Sequence, residues 1–261
     1  MNIKENLKSS DVRISIFIPA YNAGKFLGDV IERIPDSCWS KVLKVFIIND
    51  GSSDDTQEVI EKLERSKSQI QGYSFSSNKG YGSVVRKGIE LCISTDCTYA
   101  VCLHGDGQYP PEKIPEFIAY MYSNHIDILQ GSRHAQNTAL KGGMPLYKYF
   151  AGKFLTLLEN FVFGLSMTDY HSGYLLYSKR ALLAVPFEHL SKSFDFDLEV
   201  IASAKSLNLK IDEQPIPTRY ADEESYLNPI NYGFRVLYVL WKYLRGYYKK
   251  LILNTTISHP L

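Results

Sequence analysis

Apolar residues in the first half of the chain fall into short, unbroken runs separated by longer stretches of helical pattern. Ile14–Pro19 reads ISIFIP and Val42–Asn49 reads VLKVFIIN; Tyr99–His104 and Ile126–Gly131 follow in the same style. Short β-branched runs of this kind suit strands buried on both faces of a parallel sheet. The stretches between them, Ala23–Ile34, Thr56–Lys67, Tyr81–Ser94 and Pro111–Asn124, predict helices. Asp54 and Asp55 precede Thr56 as N-cap residues, and Pro111 stands at a helix start, where its missing N–H costs nothing. Strand–helix alternation predicts an open α/β sheet. In such sheets ligands bind beyond the carboxyl ends of the strands.

The second half is less regular. Residues 141–165 are aromatic and helical in pattern, with Lys148, Lys153 and Glu159 interrupting the apolar run. A strand is expected at Tyr174–Ser178, a helix at Leu198–Leu207, a strand at Lys210–Pro215 and a last helix over about Asn231–Tyr248. The 261 residues fit one large domain or one domain with an appendage. We divide them into an N-terminal extension over 1–13, a main domain over 14–225 and a C-terminal helix and tail over 226–261.

Composition narrows the function classes. A net charge of +1 excludes a strongly basic nucleic-acid binder. The four cysteines, Cys38, Cys92, Cys97 and Cys102, are too few for a disulfide scaffold and contain no C-x-x-C spacing, so reduced thiols are expected. Met1–Arg13 holds no apolar segment, so no secretory signal is expected, and no run of about 20 apolar residues predicts a spanning helix. From Ser225 onward there is no Asp or Glu, but Arg235, Lys242, Arg245, Lys249 and Lys250 are present. Such asymmetry points to an acidic partner surface.

Polar clusters sit where the strands end: YNAG, DGSSDD, HGDGQYPP and GSRH. Their density of Asp, Asn, Arg and Gly exceeds what turns require. Asp50 can accept hydrogen bonds from a base or ribose, or make an Asx-turn. Asp106 and Gln108 offer oxygen ligands of the kind that hold a hard divalent cation together with substrate phosphates, although Gly-Asp-Gly is also a common turn. Lys79 and Gly80 place a cation and open backbone near a phosphate. Arg133 and Arg219 can grip one bidentately, or serve as surface residues. No Walker loop and no dinucleotide-binding fingerprint is present.

The ordered motifs IPAYN, INDGSSDDT, NKGYG, HGDGQYPPE and GSR resemble family-2 glycosyltransferases. The later segments GGMPLYKYFAGKFLTLLENFVFG, DYHSGYLLYSKRAL and IPTRYADEESY are similar to the branch containing dolichyl-phosphate mannose synthase and bacterial polyprenyl-phosphate glycosyltransferases. The resemblance spans about Ile14 to Val239. It implies a GT-A (Rossmann-like) fold, a mostly parallel sheet flanked by helices, with a UDP- or GDP-sugar donor and an inverting transfer. It implies that Pro19, Ala20, Tyr21 and Asn22 line the base pocket, with Asp50, Gly51 and Ser52 beside them, and that Lys79, Gly80, Gly105 and Asp106 meet the rest of the donor. Asp106 and Gln108 are implied to hold Mg²⁺ or Mn²⁺. His104 occupies the position of the family's first Asp, and reads either as a third ligand or as a buried strand-end histidine. Arg133, Lys148 and Arg219 are implied to bind the phosphate of a polyprenyl or dolichyl acceptor, with Asp169, His171 and Ser172 on the acceptor side. The implied catalytic set is Asp106, Arg133 and Asp169. An anionic phosphate needs no general base; a sugar hydroxyl does, and Asp169 or His171 then supplies it. A weakened nucleotide-sugar-binding module is a further reading, raised by His104.

At about 100° per residue, the five C-terminal cations share one arc and Phe234, Leu237, Trp241, Leu244, Tyr248 and Leu251 lie opposite. This predicts an amphipathic helix in a membrane interface with snorkelling cations, or a terminal helix packed on the core. The expected location is the cytoplasmic membrane face, as a peripheral enzyme, a homodimer or the partner of a membrane subunit.

Overall fold

A computed structural model describes residues 11–135, 146–217 and 229–258. The four first-half strands form close to where the apolar runs place them: β1 (Ile14–Ala20), β2 (Val42–Asn49), β4 (Tyr99–Cys102) and β5 (Ile128–Ser132). Alternation decides which face each side chain covers. Ile16 and Ile18 of β1 point to the side of α1 (Gly24–Glu32), α3 (Thr56–Ser66) and α5 (Ile114–Asn124), where Leu27, Val30, Ile60 and Phe117 pack. Phe17 points to the other side, against Val84, Val85 and Ile89 of α4 (Tyr81–Ile93). The close approach of α4 depends on Gly88, where a Cβ would lie 2.3 Å from the Phe17 ring.

Two elements of the first half were not foreseen. A short helix α2 (Asp36–Trp39) follows α1, and β3 (Ile70–Ser74) forms one sheet edge. Only Ile70 of β3 is buried, so an edge strand of this kind carries no continuous apolar signal.

The sheet order is β3-β2-β1-β4-β6-β5-β7, with β6 (Leu175–Ser178) and β7 (Ile211–Pro215) in the second half. All neighbouring pairs are parallel except those of β6, which runs antiparallel to both β4 and β5. The carboxyl ends of β1, β2, β4 and β5 therefore share one edge with the amino end of β6. Helix α6 (Leu146–Phe163) leads into that end, and α7 (Lys179–Ala184) and α8 (Phe196–Ser206) follow β6. All four cysteines are buried and unpaired.

The C-terminal expectation needs correction. Instead of one helix there are two, α9 (Pro229–Leu244) and α10 (Tyr247–Ser258), broken at Gly246, whose φ is +69°. A left-handed residue ends a helix, and glycine adopts it without strain. The cationic arc is not wholly solvated either. Arg235 pairs with Asp195 at 3.1 Å, and Lys242 pairs with the buried Glu199 beneath the helix. Part of the charge asymmetry is thus neutralised inside the molecule. Tyr248 is buried too, its hydroxyl donating to Glu199 at 2.8 Å. Phe234, Leu237, Trp241 and Leu244 do face outward, while Val236, Val239 and Leu240 form the inner stripe.

Candidate active site

The first wall of the site is the join between the loops after β1 and β2. Ser52 Oγ accepts from Asn22 N–H at 2.9 Å, and Asn22 Oδ1 accepts from Ser53 N–H at 3.0 Å. Asn22 sits at φ +50°, a conformation Asn tolerates better than most residues. Asp55 is the N-cap of α3 but its side chain makes no cap bond; Asp54 Oδ1 instead accepts from Thr56 N–H at 3.1 Å. Pro19 and Asn22 are half-buried, Ala20 is buried and Tyr21 is exposed at the rim.

Asp50 has a definite partner set. Its carboxylate accepts from Lys79 N–H at 2.7 Å and from Gly80 N–H at 3.2 Å. It thereby folds the loop after β3 over the end of β2. Burial pushes this carboxyl above its ordinary value, and the two N–H bonds offset part of that push. Gly51 lies beneath the same loop at φ +69°, where a Cβ would meet Ser77 at 2.7 Å. Pro19, Tyr21, Asn22, Asp50, Gly51, Ser52, Lys79 and Gly80 are therefore brought to one end of the sheet.

The loop after β4 forms the floor. Gly105 N–H donates to Pro19 O at 3.0 Å, and a Cβ at Gly105 would crowd that same carbonyl. Asp106 Oδ1 accepts from Gln108 N–H at 3.0 Å. Arg33, at the end of α1, braces this loop: it donates to Gly107 O at 3.2 Å and grips Glu112 with Nε and Nη2. The Nε2 of His104 meets Tyr81 Oη at 3.2 Å, and Tyr81 Oη donates to Asp197 Oδ2 at 2.7 Å. Burial lowers the His104 pKa, so the imidazole is neutral. Burial raises the Asp197 carboxyl to about 7. Gly173 packs between them; a Cβ there would lie 2.6 Å from the His104 ring and 2.7 Å from Tyr81 Oη.

The opposite wall combines β5 with the loop before β6. Arg133 Nε donates to Asp169 Oδ2 at 3.0 Å, and its Nη2 donates to His171 O at 2.9 Å. Asp169 is fully buried, and its second oxygen accepts from His171 N–H at 2.8 Å. Burial alone would raise this carboxyl, but Arg133 outweighs it and holds the group far below the usual carboxylate range. Asp169 therefore stays ionised, orients Arg133, and is a weak base. Arg219 and the Lys148 side chain lie outside the described residues.

Sequence reasoning passed over Arg33, Tyr81, Asp197 and Tyr232. Tyr81 stood in the NKGYG motif, and its aromatic ring beside two glycines was the available signal. Among the described residues, no group of three or more His, Cys, Asp or Glu is placed to hold a metal by itself. The donor set does fit a cation carried by a diphosphate. Asp106 gives one carboxylate at a strand end, Gln108 an amide beside it, and hard cations fill their remaining positions with phosphate oxygens and water.

The comparisons agree with this geometry. The chain is 27% identical over 245 residues to a UDP-N-acetylglucosamine–dolichyl-phosphate N-acetylglucosaminyltransferase of Methanococcus voltae, covering 88% of this chain and 96% of that protein. It is 26% identical over 275 residues to a dolichyl-phosphate beta-glucosyltransferase of Saccharomyces cerevisiae, covering 95% of this chain and 80% of the other. The fold matches the crystal structure of glucosyl-3-phosphoglycerate synthase from Mycobacterium tuberculosis in complex with uridine diphosphate. There the TM-score is 0.65 at 15% identity, over 90% of this chain and 80% of that one. Residues 15–185 match the family described as glycosyl transferase family 2, a span that holds nearly all of β1 through β6 and the strand-end loops of the site. With the sheet order, the strand-end loops and this match in agreement, the chain is a glycosyltransferase and belongs to glycosyl transferase family 2.

Proposed function

We propose that the protein moves a sugar from a UDP- or GDP-sugar to a polyprenyl or dolichyl phosphate at a membrane surface. One observation carries this reading. The Arg133–Asp169 wall is contacted by two helices, α6 and α9, whose outer faces are apolar. On α6 the exposed residues Phe150, Phe154, Leu157 and Phe161 recur at helical spacing, with Phe161 87% exposed. On α9 Phe234, Leu237, Trp241 and Leu244 do the same, with Phe234 69% exposed. Two such stripes on helices that meet the arginine wall through His171 fit an isoprenoid phosphate, and aromatic-rich faces suit the lipid interface. No helix among the described residues is long and apolar enough to cross a membrane.

The donor would lie across the loops after β1, β2 and β4, with its base near Tyr21 and Asp50 and its diphosphate near Lys79 and Asp106. Asp106 and Gln108, with His104 beside them, would hold a divalent cation, which neutralises charge on the departing diphosphate. Crystal structures of the neighbouring glucosyl-3-phosphoglycerate synthase hold Mn²⁺ with a uridine nucleotide, which supports the cation. Arg133 orients the acceptor phosphate. One of its oxygens attacks the anomeric carbon as the bond to the diphosphate breaks, inverting that centre. The attacking oxygen is already anionic, so orientation carries the burden. A hydroxyl acceptor would need a base, and Asp169 is held too acidic for that task.

The test is transfer from a panel of UDP- and GDP-sugars, with Mg²⁺ or Mn²⁺, with and without a short polyprenyl phosphate. Product formed only with the lipid supports the reading; transfer to glycan hydroxyls alone overturns it. Flotation with phospholipid vesicles tests the surface: Leu157→Glu with Trp241→Glu should abolish co-flotation and leave the circular dichroism spectrum unchanged.

A further inference from the structure

Helix α6 buries a carboxylate that the reading above does not use. Glu159 lies on the inner stripe with Thr156 and Phe163, opposite the exposed aromatic face, and is 0% exposed. Neither of its oxygens makes a hydrogen bond among the described residues. Its Oε2 faces His171 Nε2 at 3.4 Å, an atom equally without a hydrogen bond among the described residues. The other ring nitrogen, Nδ1, lies 3.0 Å from Tyr232 Oη of α9. One imidazole thus stands between the two apolar-faced helices. The same residue's main chain holds the Arg133–Asp169 wall, since its N–H donates to Asp169 and its C=O accepts from Arg133.

An ionised carboxylate buried without donors is strongly disfavoured, so the Glu159 carboxyl is neutral and carries a proton that needs an acceptor. Among the described residues, His171 Nε2 at 3.4 Å is the acceptor that faces it. If Nε2 accepts, the ring proton resides on Nδ1 and is donated to Tyr232 Oη. We propose that Glu159 is a positioning residue: its O–H donates to His171 Nε2, fixes the Nδ1–H tautomer toward Tyr232, and so holds residue 171 against Arg133. The contact is longer than a formed hydrogen bond and closes with a movement of about 0.5 Å. Burial raises Glu159 to about 9, with Asp169 adding to it, and burial lowers His171 to about 4, so both groups are neutral near pH 7. The charged and titratable groups facing the ring are Glu159 from α6, Tyr232 from α9, and Asp169, Arg133 and His134 from the strand-end loops.

This inference rests on the lipid-phosphate reading for its kinetic consequence, but not for its spectroscopic one. The first measurement is the ¹⁵N-detected ring spectrum of the full-length protein, with His171 assigned by His171→Gln. The expected result near pH 7 is a protonated Nδ1 and a bare Nε2. A protonated Nε2 with bare Nδ1, or an imidazolium, overturns the proposal whatever the enzyme transfers. The second measurement is steady-state transfer by Glu159→Leu and Glu159→Gln. Leucine keeps the packing and removes the donor, so KM for polyprenyl phosphate should rise about tenfold, as expected for one lost hydrogen bond. KM for the nucleotide-sugar should not move. Glutamine, whose amide still donates to Nε2, should restore the lipid KM. A merely structural role would lower protein yield or kcat without singling out the lipid KM and without altering the tautomer. Either that outcome or a wild-type lipid KM in Glu159→Leu overturns the proposal. Wild-type protein that transfers nothing to lipid phosphate instead overturns the functional reading, and the tautomer result then stands alone.

Discussion

Replacing Asp169 with Asn tests the acceptor wall most sharply. The two carboxylate oxygens serve different donors: Oδ2 takes Arg133 Nε and Oδ1 takes His171 N–H. An amide has one oxygen and one NH₂, so one of these donors must face another donor. The side chain is 1% exposed and water cannot fill in. Breaking a buried ion pair costs about 3–5 kcal/mol, and the surviving amide bond offsets about 1 kcal/mol of it. A net loss of about 3 kcal/mol, at a urea m-value of about 3 kcal/mol/M, lowers the unfolding midpoint by about 1 M. The pH dependence has a definite sign. Arg133 prevails over burial and keeps the folded-state pKa of Asp169 below its ordinary 3.8, so the folded state holds fewer protons in acid. The stability this contributes is complete above about pH 5 and is lost as pH falls below 3.8. The gap between wild type and Asp169→Asn should therefore be flat from pH 8 to 5 and narrow only in stronger acid. With Arg133 loosened, kcat/KM for polyprenyl phosphate should fall about 10- to 100-fold, the range for a charge-assisted hydrogen bond. Unfolding midpoints and transfer rates equal to wild type would refute the reasoning.

Three further outcomes follow from the same geometry. Asp197 is raised by burial to about 7, above its ordinary 3.8, so its contribution to stability is present below about pH 4 and lost as pH rises through 7. Asp197→Asn keeps an acceptor for Tyr81 and should become progressively more stable than wild type across that window; a pH-independent difference in thermal denaturation would count against the assignment. Gly173→Ala places a methyl 2.6 Å from the His104 ring and should cost about 1–3 kcal/mol. It should also slow sugar transfer, whereas alanine at the open Gly152 should do neither. Lys242→Met leaves Glu199 buried with Tyr248 Oη and Ser191 N–H but no cation, so chemical denaturation should show a loss of about 3 kcal/mol.

The strands were legible because burial on both sheet faces leaves short, β-branched apolar runs bounded by glycine and polar turn residues. The strand-end clusters were legible for a related reason: polar residues and glycines collected where a doubly covered sheet has only its edge free. What joins those clusters was not legible. Arg133 and Asp169 are 36 positions apart, and they meet because β6 inserts antiparallel between β4 and β5. Nothing in LLYS states a direction, since its first three residues are apolar and buried and suit either sense. Tyr81 and Asp197 lie 116 positions apart and meet through helix packing alone. Glu159 left a trace, as a lone acid within an apolar helical stretch, but its neighbour on α9 did not. The pairing of Arg235 and Lys242 was not legible either, because their partners, Asp195 and Glu199, precede them by about 40 residues.

Those two charge pairs explain how a helix with apolar residues on two sides presents the intended one. By hydrophobicity alone α9 could bury Phe234, Leu237, Trp241 and Leu244, which are larger than the Val236, Val239 and Leu240 stripe it does bury. Area burial favours the larger stripe at about 25 cal/mol per Å². The opposing term comes from α8 and the loop before it, which hold Asp195 and Glu199 almost fully buried under the helix. Arg235 and Lys242 reach these carboxylates only in the observed rotation. Turning α9 over would strand two buried carboxylates without cations, at about 3–5 kcal/mol each. That exceeds the net apolar gain, because burying four large side chains exposes three buried ones in exchange, a difference of about one side chain or roughly 1.5–3 kcal/mol. The ion pairs therefore act as an orientation lock. They keep the aromatic stripe outward and Tyr232 inward against His171, so the face offered to the surroundings and the wall of the active site are set by one rotation of one helix.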